Sequence, residues 1–159
     1  MNKIVSMDEM IPLIEEKLKE DGKVVFTPKG TSMLPTIVGE VDTVSLVKPE
    51  FPLAKYSIPL YKRDSGGYVL HRVIGRKNGC YTMRGDNQYV KEKGIREDQI
   101  IGVVRTYTHN GEVYEAYGPQ NKTYAKKRHR KIGRRKIYLA IRRRLGKVKR
   151  KTLRKDETV

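Results

Sequence analysis

Three segments of this chain carry residues whose types and order could do chemistry. Gly30-Thr31-Ser32-Met33-Leu34-Pro35 sets a serine in a Gly/Pro turn. Tyr68-Val69-Leu70-His71-Arg72-Val73-Ile74 interrupts an apolar run with a histidine, and Arg84-Gly85-Asp86-Asn87 sets an acid in a tight turn. Each has an ordinary explanation on its own: turn serines and Asx turns are common, and a strand histidine is usually a packing residue. Together they meet a requirement. A serine hydroxyl attacks poorly near neutral pH unless a base takes its proton. Neutral imidazole suits that task because its pKa lies near the operating pH. A carboxylate then fixes its tautomer and stabilises the imidazolium. The chain has three histidines. His109 falls in a hairpin turn and His129 in a basic tail, which leaves His71 as the histidine of an ordered core strand.

The elements that must position these residues are mostly strands. Ser6-Met7-Asp8-Glu9 has the form of a capping box, and Met7, Met10, Ile11, Ile14 and Leu18 share one helical face. Pro12 fits that helix badly, since an interior proline removes a hydrogen bond, so the start is expected nearer Glu9. Asp21-Gly22 closes the helix. Short apolar or alternating runs then follow at Lys23–Thr27, Thr43–Val47, Ile58–Tyr61, Tyr68–Ile74, Cys80–Met83 and Ile100–Thr108. Asn110-Gly111 is a two-residue hairpin signal. Strands at this spacing predict a mainly β, coiled and partly closed structure.

Charge divides the chain more sharply than hydropathy does. The net charge is +17 over 159 residues, yet 18 of the 35 Lys and Arg residues follow Gly118, against two of the 18 Asp and Glu. The organisation read from this is an N-terminal helix (1–22), a nearly neutral catalytic domain (23–118) and a basic tail (119–159). No run reaches the ~18–20 apolar residues of a membrane-spanning helix, and Met1–Asp21 lacks a signal-peptide core. A cytoplasmic place, peripheral on a membrane at most, is expected. Cys80 is the only cysteine, which excludes an internal disulfide and a cysteine-built zinc site. No metal or organic cofactor is expected.

The three ordered segments resemble the successive boxes of type I signal peptidases, within the wider signal-peptidase and LexA-like serine peptidases. The resemblance spans roughly Val24 to Val104 and implies a coiled β catalytic core. Where most bacterial members place a lysine base, this sequence has His71, so it is similar to the Ser-His subtype of the endoplasmic-reticulum and archaeal kind. The resemblance implies Ser32 as nucleophile, His71 as base and Asp86 as the acid that orients it, with Asp98 as the second choice of acid. It implies an oxyanion hole at Ser32 and Thr31, because Gly30 replaces the hydroxyl residue that bacterial members often carry. Met33 and Pro35 would contact substrate. The activity implied is endoproteolysis of a leader, signal or propeptide after small residues, with a peptide or protein precursor as partner. The membrane anchor typical of signal peptidases is absent from this sequence.

Two alternatives come from other classes: a LexA-like regulator with a nucleic-acid-binding tail, and a catalytically silent binding module on the same fold. The tail is expected to be helical from Tyr124, weakened at Gly133 and Gly146. Ile137, Ile141, Leu145 and Val148 form an apolar stripe there, and Arg135, Arg142, Arg143, Lys149 and Arg150 take the other faces. That pattern favours an anionic membrane surface over nucleic acid, since an apolar stripe has no use against phosphates. A chain ending at Gly118 is expected to keep catalysis.

Overall fold

The computed structural model describes residues 7–132. It is mainly β, with two antiparallel sheets between an N-terminal and a C-terminal helix. Helix α1 (Met7–Glu20) presents Ile11, Ile14 and Leu18 to the core. Pro12 lies inside it, so the expected later start is not needed. The strands are β1 (Lys23–Phe26), β2 (Val44–Val47), β3 (Pro59–Lys62), β4 (Tyr68–Leu70), β5 (Arg72–Lys77), β6 (Cys80–Arg84), β7 (Glu92–Ile95), β8 (Ile100–His109) and β9 (Glu112–Glu115). A 3₁₀ turn at Glu97–Gln99 precedes β8. Helix α2 occupies 119–132.

The larger sheet runs β1-β2-β8-β3-β4, and β9 pairs with the far end of β8; the smaller runs β5-β6-β7. Neither closes into a barrel. Four strand pairs carry register shifts, at Ser45/Leu46, Leu60/Tyr61, Val73/Gly75 and Tyr81/Thr82. Such irregularities bend their strands and increase the local twist. The β8–β9 hairpin turns on Asn110 and Gly111, both at positive φ (51° and 80°), as the two-residue turn requires. Among the described residues no helix is long and apolar enough to cross a membrane.

Two cores result. One joins α1 to Leu46, Leu60, Leu70 and Val104; the other gathers Tyr61, Val73, Tyr81, Met83 and Ile95. Strand β3 separates them, because its period-2 alternation sends Leu60 to the first and Tyr61 to the second. The run expected as one strand over Tyr68–Ile74 is broken at His71. Leu70 packs in the first core and Val73 in the second, so the chain must change sheets between them. His71 and Arg72 make that passage, and both are fully buried.

Candidate functional site

Ser32 sits in a tight turn closed by hydrogen bonds from Leu34 N–H to the Thr31 carbonyl (3.3 Å) and from Ile37 N–H to the Met33 carbonyl (3.1 Å). The turn is fastened to the Gly85–Asn87 segment. Asn87 N–H donates to the Ser32 carbonyl at 2.8 Å, and Asn87 Nδ2 donates to the Thr31 carbonyl at 3.2 Å. Gly85 permits this approach, since a Cβ there would lie 2.6 Å from the Ser32 carbonyl oxygen. The first and third sequence segments are therefore one unit. Ser32 also lines a small cavity of about 80 Å³ with Met33, Leu60 and the three residues of β4. Met33 is buried in the larger core, whereas Thr31 and Pro35 are exposed.

His71 follows β4 directly in the chain. Its Nδ1 lies 3.1 Å from Tyr61 Oη and 3.2 Å from Glu92 Oε1. Tyr61 Oη donates its proton to Glu92 Oε2 at 2.8 Å, so His71 Nδ1 must carry hydrogen and act as donor. Arg63 completes the group by gripping both Glu92 oxygens, at 2.9 and 2.6 Å. The lone pair then resides on Nε2, which is buried and has no hydrogen-bond partner. Burial pushes the imidazole pKa below its ordinary value, and the Glu92 charge offsets this only in part. The Arg63 hydrogen bond holds the Glu92 carboxyl below the usual range against the opposing effect of burial. His71 is thus a neutral imidazole held through Nδ1, with Nε2 buried and unpaired; it makes no hydrogen bond to Ser32 and does not line the cavity at Ser32.

Asp86 belongs to a different cluster. It has no hydrogen bond to His71. Its carboxylate takes a bidentate grip from Arg72, at 2.9 and 2.7 Å, and a further bond from Thr36 Oγ1. His129 Nε2 reaches the same carboxylate at 3.1 Å. Burial alone would raise the Asp86 carboxyl, but the hydrogen bonds from Arg72 and His129 hold it far below the ordinary range. The resemblance implies Asp86 as the acid that orients His71. The change of sheets at His71 instead points Arg72 at Asp86, and His71 at Glu92. Asp98 is exposed, with its carboxylate 3.1 Å from Arg96 Nε, and joins neither histidine.

Two participants escaped the sequence reading. Glu92 lies in Lys91-Glu92-Lys93-Gly94, which looks like a solvated charge run; the signal available was an acid close after Gly85-Asp86-Asn87. His129 was assigned to the tail, but α2 docks on the body through buried Asn121, Ala125 and Ile132. Arg128 donates to the Asp86 carbonyl at 3.0 Å and to the Leu34 carbonyl at 3.3 Å. A chain ending at Gly118 would lose these contacts. Arg135, Arg142, Arg143, Lys149 and Arg150 lie outside the described residues, as does Ser6.

No protein-family model, curated protein or solved structure matches the chain.

Proposed function

We propose that the chain is a serine endopeptidase on a coiled β fold of the LexA/signal peptidase type, cleaving a leader, signal or propeptide after small residues. Ser32 attacks the scissile carbonyl. His71 Nε2 accepts its proton and then delivers it to the leaving amine. Glu92, with Tyr61, replaces Asp86 as the group that orients His71. The backbone N–H groups of Ser32 and Met33 carry no hydrogen bond among the described residues, which leaves them free to bind an oxyanion. The reading rests chiefly on the unpaired Nε2 of a neutral, buried His71. A polar atom buried without a partner costs about 1–3 kcal/mol, a cost for which a catalytic role would account.

Two features bear on the substrate. The cavity at Ser32 has room for little more than a small side chain. Strand β4, which lines it, is an edge strand, so an extended peptide can pair along it. The test is a peptide library incubated with the purified chain and read by mass spectrometry. Cleavage after small residues is expected, and Ser32→Ala or His71→Ala should lower it roughly 10³-fold or more with the melting temperature retained. Full cleavage by Ser32→Ala, or none by the unaltered chain, overturns the proposal.

A further inference from the structure

A second concavity, of about 660 Å³, opens between the β6–β7 loop and α2. Lys55, Lys91, Lys93, Lys126 and Arg130 line it, and no Asp or Glu does. Elsewhere four arginines of the body pair with carboxylates, Arg63 with Glu92, Arg72 with Asp86, Arg76 with Glu97 and Arg96 with Asp64, while Arg105 and the described lysines other than Lys17 do not. In the groove, neither those five cations nor Arg84, which also lines it, has a carboxylate partner among the described residues. Cations held together in a concave wall raise the local potential and attract a complementary anion.

The groove adjoins a smaller cavity bounded by Asp86, Asn87, Arg128 and Lys131, with Tyr89 and Ile132 lining both. Asn87 N–H in turn donates to the Ser32 carbonyl, whereas the cavity that Ser32 itself lines shares no residue with either. A precursor held at Ser32 would reach the basic trough by passing over Asn87.

We infer that this groove binds an acidic segment of the precursor that Ser32 cleaves, an inference that rests on the peptidase reading. The concave shape suits one extended chain better than a membrane plane. Single-stranded nucleic acid would need successive free aromatic faces. Of the two tyrosines here, Tyr56 is already stacked on His129, with ring centroids 6.3 Å apart. Glutamate and aspartate side chains need only the charges.

The experiment uses the full chain and two charge-matched variants. One reverses the groove (Lys91→Glu, Lys93→Glu, Lys126→Glu); the other reverses exposed lysines elsewhere (Lys19→Glu, Lys23→Glu, Lys77→Glu). Binding of fluorescent decaglutamate at physiological ionic strength should weaken about tenfold in the groove variant and twofold or less in the control. Extending a cleaved library peptide with glutamates should raise kcat/KM for the unaltered chain and not for the groove variant. Equal weakening in both variants overturns the inference. So does groove-specific loss of oligothymidylate or phosphatidylglycerol-vesicle binding with decaglutamate unaffected. Ser32-dependent cleavage without any gain from glutamates sinks the groove's role alone. Groove-specific decaglutamate binding without Ser32-dependent cleavage sinks the peptidase reading alone.

Discussion

All three histidines lie against carboxylates, His109 beside Asp42 at 2.9 Å, and the hydrogen-bond network gives the two with buried side chains, His71 and His129, opposite tautomers. His71 donates from Nδ1 toward Tyr61 and Glu92 and keeps an unpartnered lone pair on Nε2. His129 accepts at Nδ1 from Arg84 Nε, at 2.9 Å, and so donates from Nε2 to Asp86. Every polar atom of the second ring is spent, and the ring ties α2 to the body. The first ring has one atom left over. A carboxylate beside a histidine is therefore no sign of catalysis by itself; the free valence at the other nitrogen separates a base from a strut.

The comparison breaks most visibly at Asp86. If its cluster is structural, Asp86→Ala leaves the Arg72 guanidinium fully buried with no counter-charge. Removing one partner of a buried pair typically costs about 3–5 kcal/mol. Urea unfolding of Asp86→Ala should show a loss of that order, and cleavage should fall only as far as the folded fraction does. A variant that unfolds normally but cannot cleave would return Asp86 to the catalytic role that the resemblance implies.

Glu92→Gln probes the other centre, where the effect should be on rate. The amide keeps size and one acceptor, but it no longer stabilises an imidazolium. A loss of about 10²–10⁴-fold in kcat is expected, with stability changed far less. The pH profile sharpens the same point. Because burial lowers the His71 pKa, the free base persists below the ordinary value of about 6.5. The rate should therefore rise with pH through a midpoint below about 6.5. A limb centred well above 7 would mean that another group is the base.

What the sequence made legible was local. The turns at Ser32 and at Gly85–Asn87, the helical face of Ile11, Ile14 and Leu18, and the Asn110-Gly111 hairpin all follow from neighbouring residues. The partners of His71 did not, because they arise from pairing at long range. Glu92 is 31 residues from Tyr61, and 29 from Arg63, in sequence; only β7 pairing with β6 brings it there. The break at His71 was hidden for a related reason. Tyr68–Ile74 is uniformly strand-like, and what divides it is two cores competing for Leu70 and Val73. His129 was masked by composition, since Ala125 and Ile132 are sparse apolar contacts within a run of lysines and arginines.

The smallest expected effect tests whether His129 is the strut that its tautomer implies. Facing its ring are Asp86, Arg84 and Arg72, with Arg128 on the neighbouring Asp86 carbonyl and Tyr56 stacked on the ring. Burial lowers its pKa, and the hydrogen bond to Asp86 opposes that without reversing it. The folded chain thus keeps His129 neutral at pH values where the unfolded chain protonates it. Between the lowered value and about 6.5 the unfolded state binds more protons, so stability falls as the pH drops through that window. A proton on Nδ1 would also collide with the Arg84 donor it now accepts from, adding a cation beside three arginines. His71, lowered likewise, contributes to the same slope, so one residue must be isolated. In His129→Gln the amide can accept from Arg84 and donate to Asp86 without titrating. Its stability should lie within about 1 kcal/mol of the unaltered chain at pH 7.5, and its decline from pH 6.5 to 5 should be shallower. A decline as steep as that of the unaltered chain would mean that folding does not shift the His129 pKa. The contrast between the two rings would then fail.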